Sequence, residues 1–269
     1  MAIHAMAVVD PTARLAPDVQ VGPFCVVGPG VTIGSGTVLH SGVTITGRAT
    51  LGCRNQVYPN VCIGTPPQDV TYRGEPTTVV IGDDNVLREC VTVHRASAKE
   101  DGVTRIGSGC YLMACSHVAH DCILGDRIIF GNNVLIGGHV HIQTGANLNG
   151  GAAIHPFTTI GRLAYVGGLT RIVQDVPPFM IVEGHPSRVR GVNSVGLRRW
   201  GVPENVMESI AKAYRRIYRY GRIRAEILDE MDAENGWSEE VRFLCQFLRA
   251  SSLGKHGRHR EALRKSAPA

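Results

Sequence analysis

The stretch VGPGVTIGSGTVLHSGVTIT, from Val27 to Thr46, repeats one pattern every six residues. An aliphatic residue recurs at positions 27, 33, 39 and 45, and glycine often stands next to it. Neither the period of about 3.6 residues of a helix nor the alternation of a strand produces this spacing, whereas a short strand followed by a turn does. The stretch therefore predicts one inward-facing aliphatic side chain for each strand and turn.

The same register extends far beyond this stretch in both directions. It starts at Val9, breaks over residues 65–78, resumes at Ile81, breaks again over residues 95–104, and continues from Ile106 to Ile172. Three hexads form one triangular coil, and stacked coils bury a continuous aliphatic column. The pattern is typical of hexapeptide repeats and predicts an all-β, left-handed parallel β-helix over residues 1–190.

Beyond this domain the register gives way to helical periodicity. The segment PENVMESIAKAYRRIYRYG, from Pro203 to Gly221, opens with residues that favour a helix start. Its apolar residues fall on one helical face, namely Val206, Ile210, Ala213, Tyr214 and Ile217. Further helical segments follow, and Ser238 is the expected N-cap of the last one. We therefore predict a C-terminal α-helical domain over residues 191–254.

The positive charge of the chain is concentrated at its end. The formal net charge is +5, and residues 255–269 contain five lysines and arginines without an apolar stripe. This composition predicts a basic, disordered tail over residues 255–269. The folded body is then close to neutral, so the sequence does not favour nucleic acid as a partner.

The cysteine pattern and the hydropathy indicate in which cellular compartment the protein resides. Eight cysteines occur without a CxxC pair, in a chain too long to be a small disulfide scaffold. No apolar run approaches the roughly 18 residues that a membrane span requires, and the N-terminus lacks the pattern of a secretion signal. We predict a reduced, cytoplasmic protein without integral membrane contact.

Coil geometry predicts a cluster of histidines. Because one coil holds three hexads, residue i lies beneath residue i+18, and Gly138 should stack on His120, with His139 one step along the same corner. His155 should lie at this corner one coil further on, and His117 precedes His120 on its own coil. Four histidines are therefore expected along one edge of the prism.

Three interpretations of this cluster differ in their chemistry. A neutral imidazole titrates near neutral pH, so His120 could act as a general base, oriented by Asp121 or by a backbone carbonyl. The N–H of Gly138 could then stabilise an oxyanion. A zinc site needs three or four converging ligands, and the HxxxxH pair of zinc-binding proteins of this repeat class is absent; solvated surface histidines are the third interpretation. We predict a general base, with no metal and no cofactor.

Several motifs, in order, resemble those of the UDP-N-acetylglucosamine 3-O-acyltransferases, which catalyse the first step of lipid A biosynthesis. These are QDVTYRGEPT, VTVHR, HVAHDC, GGHV, QDVPPF and GVNSVGLRR. The resemblance spans nearly the whole chain and implies transfer of a 3-hydroxyacyl chain from acyl carrier protein to the 3-hydroxyl of a UDP-sugar. It also implies a homotrimer with active sites between neighbouring subunits.

The resemblance assigns roles residue by residue. It implies His120 as the catalytic base and Gly138 as the oxyanion donor. Gly168 matches the position that measures acyl length, where glycine leaves room for a long chain. The remaining matches imply substrate-binding roles for Asp69, His117, His139, His155, Asn193 and Arg199.

Three positions depart from the pattern of the family. Thr71 stands where a lysine is usual, Pro156 where a glutamine is usual, and Trp200 replaces the second residue of a basic pair. Each change removes a polar contact to the expected acceptor. Two alternatives therefore stay open, namely a related enzyme that acylates another nucleotide sugar, at a hydroxyl or an amine, and a catalytically silent trimeric scaffold that binds carrier protein.

Overall fold

The structure of the protein, a computed structural model, describes residues 2–219, 221 and 223–263. Three sheets of short strands form the faces of a triangular prism, and we call them the first, second and third faces. Consecutive strands move from face to face, so each sheet contains every third strand of the repeat. The predicted left-handed parallel β-helix with a C-terminal helical region is confirmed.

The first face contains the strands β1 (Ala2–Ile3), β4 (Gln20–Val21), β7 (Val38–Leu39), β10 (Gln56–Val57), β13 (Val86–Leu87), β16 (Tyr111–Leu112), β19 (Ile129–Phe130), β22 (Asn147–Leu148), β25 (Tyr165–Val166), β27 (Met180–Glu183) and β28 (Arg188–Val192). The second face contains β2 (Val8–Val9), β5 (Val26–Val27), β8 (Thr44–Ile45), β11 (Cys62–Thr65), β14 (Thr92–His94), β17 (His117–Val118), β20 (Leu135–Ile136), β23 (Ala153–Ile154) and β26 (Arg171–Ile172). The third face contains β3 (Arg14–Leu15), β6 (Thr32–Ile33), β9 (Thr50–Leu51), β12 (Thr78–Ile81), β15 (Val103–Ile106), β18 (Ile123–Leu124), β21 (His141–Ile142) and β24 (Thr159–Ile160).

Parallel pairing fixes the stacking of the coils. Most neighbouring strands pair three hexads apart, as Gln20 does with Val38. The separation along the chain is longer where Gln56 pairs with Val86, and again where Val86 pairs with Tyr111. The two breaks in the sequence register are therefore insertions that leave the stack as loops, one after β11 and one after β14.

A single aliphatic column fills the prism. Every predicted inward residue from Val21 to Ile172 is buried, and Phe130 is the largest of them at 0% exposure. Only the first coil is less enclosed, because Val9 and Leu15 are partly buried. Burial of this column is the main favourable term for the fold.

The corners hold residues with left-handed backbone angles. Glycines occupy some of them, as predicted, but larger residues occupy many others. One corner stacks Asp121, His139 and Phe157 at φ values of 59°, 61° and 64°. This conformation costs a non-glycine residue roughly 1 kcal/mol, so these three side chains are held in a backbone geometry that their neighbours must enforce.

The C-terminal helices pack beside the last coils. They are α1 (Ser194–Arg199), α2 (Glu204–Arg219), α3 (Arg224–Ala233), α4 (Glu239–Leu253) and α5 (His259–Ala262). The buried face of α2 carries Met207 in place of the expected Val206, and Ser238 caps α4 by accepting a hydrogen bond from the N–H of Val241 at 3.4 Å. The predicted boundary after residue 190 falls inside β28.

The expected disorder of residues 255–269 needs correction for residues 255–263. Lys255 and Arg258 form an antiparallel bridge, and α5 follows directly. Arg258 is only 6% exposed and donates to the carbonyl of Val173. These partners lie far away in sequence, so composition could not reveal them; residues 264–269 lie outside the described residues.

In the described residues, no helix combines the length and the hydropathy that crossing a bilayer requires. All eight cysteines are free thiols.

Two strand histidines are shielded from solvent: His94 is buried and His141 is half-buried. Burial lowers the pKa of His94 to about 4, with a further contribution from the neighbouring His117. Burial likewise lowers the pKa of His141 to about 4, together with the charge of Arg260. In the part of the chain that the structure describes, His94 Nδ1 and His141 Nε2 have no hydrogen-bond partner. The folded state therefore favours neutral imidazoles at both positions.

We expect Phe130→Ala to lower the free energy of unfolding by about 3–5 kcal/mol, because the ring fills the centre of the column. Urea unfolding measures this change. Ile129→Ala, in the same strand but 39% exposed, is the matched control and should cost far less. Equal losses in the two variants would contradict the assignment of the column.

We expect the free energy of unfolding to fall as the pH drops from about 6.5 to about 4. In this window the unfolded chain protonates its histidines near their ordinary pKa, whereas His94 and His141 stay neutral in the folded chain. Their contribution is thus fully present above pH ~6.5 and is lost on acidification, on the order of 3 kcal/mol per histidine.

Urea unfolding at a series of pH values tests this dependence. His94→Gln should flatten the pH profile of the unfolding free energy, since one buried histidine is removed. His4→Gln, which replaces an exposed histidine, should keep the wild-type profile. A His94→Gln profile as steep as that of the wild type would refute the prediction.

Candidate active site

A groove of about 570 Å³ runs along the second face at the corner that carries the predicted histidines. His117, His120 and His155 line it, together with the backbone of Gly138. Aliphatic side chains of the strands, including Leu135, form its floor. The structure therefore brings together three of the four predicted histidines around one apolar groove.

His120 is paired with a buried carboxylate. Its Nδ1 lies 2.7 Å from Oδ2 of Asp121, which is the partner that the sequence suggested. The side chain of His120 is 15% exposed, whereas that of Asp121 is 1% exposed. Because an ionised carboxylate only accepts, the proton of the neutral imidazole belongs on Nδ1, and Nε2 keeps its lone pair. This is the tautomer that a general base on Nε2 requires.

Asp121 is held in place from several directions. Both the N–H and the hydroxyl of Ser97 donate to its carboxylate, the hydroxyl at 2.7 Å, and its own N–H donates to Thr104 Oγ1. Burial acts to raise the pKa of Asp121, but the hydrogen bonds from His120 and Ser97 outweigh it. The pKa therefore lies below its ordinary value, and the carboxylate stays charged beside His120.

Gly138 lies directly over the ring of His120, as the stacking of coils predicted. A Cβ atom at this position would lie 2.6 Å from His120 Cε1, so any side chain would displace the ring. Its backbone N–H has no acceptor among the described residues and belongs to a residue that lines the groove. The position thus offers both room for the base and an unpaired donor.

His117 is anchored on β17, three residues before His120 in the same coil. Its Nδ1 lies 2.7 Å from the hydroxyl of Thr92, and its ring meets that of His94 edge to face at 4.8 Å. Burial lowers the pKa of His117, and the nearby His120 adds to the effect. His117 therefore favours the neutral form, which suits hydrogen bonding to an uncharged hydroxyl.

His139 and His155 have different surroundings. His155 faces the groove, and its Nδ1 lies 2.9 Å from the carbonyl oxygen of Pro156. His139 is 5% exposed and lies behind Asp121 rather than among the groove-lining residues. Its ring stacks on Phe157 at 4.4 Å, and its Nδ1 lies 3.0 Å from Glu100.

Asp69 already has a cationic partner. Lys99 Nζ lies 2.6 Å from Asp69 Oδ2, and both the N–H and the hydroxyl of Thr71 donate to Oδ1. The hydrogen bond from Lys99 holds the pKa of Asp69 well below its usual range. Asp69 and Thr71 lie in the loop after β11, and Thr71 takes the place of the expected lysine. Lys99, from the loop after β14, thus brings a cation to the same place.

The remaining predicted residues lie elsewhere in this chain. Gly168 is exposed at another corner, stacked on Gly150. Asn193 caps α1, and its amide group donates to the carbonyl of Leu163 at 2.9 Å. Arg199 is exposed at the end of α1. A single chain therefore does not bring Asn193 or Arg199 to the histidine groove.

Trp200 acts as a packing residue rather than as a lost cation. The Cζ atom of Arg127 lies 3.9 Å from the centroid of the Trp200 ring, and the ring packs over Gly145. The aromatic residue thus fastens α1 to a corner of the prism, and Arg127 brings a positive charge to the same place.

One group in the described residues has the composition of a metal site. Potential ligand atoms of His120, Asp121 and His139 lie within 4.8 Å of one another. Asp121 Oδ2 already accepts hydrogen bonds from His120 and from Ser97. A cation would have to break the pair that sets the tautomer of His120, so these donors fit a hydrogen-bonded network better than a metal.

Sequence reasoning missed the residues that hold the site from outside the repeat. Ser97, Lys99 and Glu100 all come from the loop after β14 and contact Asp121, Asp69 and His139. The available signal was the second break in the hexad register, directly before the coil with the histidines. An insertion at that place has no role in the column, which points to a role in the site.

Comparisons with known proteins agree with this geometry. A family model described as UDP-N-acetylglucosamine O-acyltransferase, domain 2, matches residues 175–256. The bacterial transferase hexapeptide model matches residues 3–47 and 104–138.

Two relatives match over almost their whole length. An acyl-(acyl-carrier-protein)–UDP-N-acetylglucosamine O-acyltransferase of Anaeromyxobacter sp. is 49% identical over 94% of this chain and 99% of its own. One of Verminephrobacter eiseniae is 45% identical over 94% and 98%.

Among solved structures, the UDP-N-acetylglucosamine acyltransferase of Bacteroides fragilis superposes with a TM-score of 0.89 at 33% identity, covering 92% of this chain and 96% of its own. The enzyme of Acinetobacter baumannii gives 0.83 at 39% identity, covering 87% and 91%. The chain belongs to the UDP-N-acetylglucosamine O-acyltransferase family.

Proposed function

We propose that the protein transfers a 3-hydroxyacyl chain from acyl carrier protein to the 3-hydroxyl of UDP-N-acetylglucosamine, the first step of lipid A biosynthesis. The observation that carries this proposal is the pair of His120 and buried Asp121, with the His120 ring against Gly138 in the groove. The names of the relatives support the choice of substrates.

His120 acts as the general base. Its Nε2 takes the proton of the sugar hydroxyl while the oxygen forms a bond to the thioester carbonyl carbon. The carbon–sulfur bond then breaks, and the imidazolium returns the proton to the departing thiolate. Asp121 keeps Nδ1 protonated and stabilises the imidazolium that forms between the two steps.

Gly138 stabilises the charge that develops on the thioester oxygen. Its N–H has no other acceptor among the described residues, so it is available to an oxyanion. Asp69, His117 and His155 position the substrates around this point, whereas His139, which lies behind Asp121 and outside the groove, contacts the catalytic pair instead of the substrate that its match to the family implied. Thr71 stands where the family usually has a lysine, and Lys99 beside Asp69 supplies a positive charge for the sugar acceptor in its place.

We further propose a homotrimer in the cytoplasm that takes its acyl donor from acyl carrier protein. Asn193 and Arg199 lie outside the histidine groove of their own chain, so they would complete the site of a neighbouring copy as nucleotide-binding residues. The apolar floor of the groove suits an acyl chain, and the site needs neither a metal nor a cofactor for proton transfer.

Product analysis tests the reaction. The purified protein is incubated with UDP-N-acetylglucosamine, or with an analogue that carries an amine at position 3, and with 3-hydroxyacyl carrier proteins of increasing chain length. We expect ester formation with the natural sugar. Amide formation from the amine alone would favour an acceptor other than UDP-N-acetylglucosamine. No product with any donor, or stoichiometric zinc in the active protein, would contradict the proposal.

We expect His120→Ala to lower kcat by at least about 10²-fold, because proton transfer loses its base. The side chain lies outside the aliphatic column, so the thermal midpoint and the oligomeric state should stay as in the wild type. Steady-state kinetics and size-exclusion chromatography measure both. Asp121→Asn is the companion variant: its amide can donate to Nδ1 and favour the wrong tautomer, so kcat should again fall. Full activity of either variant would exclude this base.

We expect Gly168→Met to shift the chain-length optimum to shorter acyl groups. The glycine is exposed, and a Cβ atom there meets only the carbonyl oxygen of Gly150 at 3.3 Å, so the fold should tolerate the larger side chain. Competition between acyl carrier proteins of different chain length measures the optimum. Gly168→Ala is the small control, and an unchanged optimum in the methionine variant would remove this residue from length selection.

A further inference from the structure

The end of the chain is docked on the last coil of the prism. We call residues 254–262 the C-terminal turn. The N–H of Asp175 donates to the carbonyl of Gly257 at 2.8 Å, and the N–H of His259 donates back to Asp175 Oδ2 at 2.9 Å. Arg258 donates to the carbonyl of Val173, as described above. These contacts fix where the next side chain, Arg260, can reach.

Arg260 reaches the corner of the active site. One nitrogen of its guanidinium group donates to the main-chain carbonyl of His139. The other lies 2.9 Å and 3.1 Å from the two carboxylate oxygens of Glu100. The side chain of Arg260 is 18% exposed and that of Glu100 is 32% exposed, so the ion pair is only partly screened by water and salt. Arg260 thus connects the chain end to two residues of the corner at once.

Glu100 passes this contact on to the ring of His139. Burial acts to raise the pKa of Glu100, but the hydrogen bond from His139 and the charge of Arg260 outweigh it, so its pKa lies below the ordinary value. As an ionised acceptor at 3.0 Å, Glu100 assigns a proton to His139 Nδ1. The orientation of the ring is therefore set by a residue of the inserted loop.

The opposite edge of the His139 ring faces the catalytic pair. Its Nε2 lies 3.6 Å from Asp121 Oδ2, and its ring meets that of His120 edge to face at 5.2 Å. The N–H of His139 also donates to the carbonyl of His120 at 3.0 Å. Any movement of His139 would therefore be felt by Asp121, by His120 and by the adjoining Gly138.

We propose that Arg260 and Glu100 are positioning residues for this active site, because together they hold both the backbone and the ring of His139 against Asp121 and His120. The inference rests on the proposed function. The C-terminal turn is anchored to the last coil through Arg258 and Asp175 without them, so the contacts of Arg260 serve the corner of the site rather than the docking of the turn.

The first test is the kinetics of Arg260→Gln in the full-length protein. We expect kcat to fall about tenfold, with KM for UDP-N-acetylglucosamine within about twofold of the wild type. The reason is that the pair of Arg260 and Glu100 acts on groups that work in the transition state. Glu100→Ala should have the same effect. The double variant should be no slower than either single variant, because each substitution alone already breaks the contact between Arg260 and Glu100.

Arg249→Gln is the matched control. Arg249 also contacts two carboxylates, those of Asp229 and Asp232, but it lies on α4. It should keep the wild-type kcat. A fall in Arg249→Gln as large as in Arg260→Gln would show a general effect on the C-terminal helices and would overturn the proposal. Additive losses in the double variant, or wild-type kcat in Arg260→Gln, would overturn it as well.

A spectroscopic test is independent of turnover. In protein labelled with ¹⁵N at histidine, the His139 ring should show a protonated Nδ1 in the wild type, and this signal should change in Glu100→Ala and Arg260→Gln. An unchanged signal in both variants would refute the positioning role. If the wild type makes no product but the signal changes as expected, the proposed function fails, while the role of Arg260 and Glu100 in positioning His139 stands.

Discussion

Parallel hydrogen bonding between strands three hexads apart is the constraint from which the rest of the structure follows. Each short strand lies on the strand one coil below, so inward residues form a column and corner residues form vertical rows. The vertical row of Asp121, His139 and Phe157 exists for this reason, and so does the contact of Gly138 with the ring of His120. The repeat that builds the core therefore also places the reacting groups.

The site is most elaborate where the repeat is interrupted. The loop after β14 leaves the stack one coil before the histidines and returns with Ser97, Lys99 and Glu100 directed to three different residues of the site. Its backbone makes no contribution to the column. The prism supplies a rigid frame, and the insertion supplies the polar partners that set tautomers and charge, which is the division of work expected between scaffold and loop.

The sequence was sufficient for the fold and for part of the site. The hexads identified the buried column, and the coil length of three hexads was enough to place Gly138 over His120. It could not place Glu100, because the path of an inserted loop follows from contacts that no period describes. It also misjudged residues 255–263, since a run of basic residues has the composition of a solvated tail whether or not its partners, such as Glu100 and Asp175, lie across the fold.

The C-terminal turn has a second consequence, for assembly. A stack of parallel coils ends in edges whose unpaired backbone groups could receive another strand, which is how fibres grow. At the final coil, Gly257 and Arg258 engage the backbone at Asp175 and Val173, and β28 folds back antiparallel on β27. At the opposite end, Ile3, Met6 and Val8 are 42%, 55% and 64% exposed. Among the described residues the edge of the last coil is therefore already engaged by residues of the same chain, so a strand of a second prism would have to displace these contacts before it could pair there.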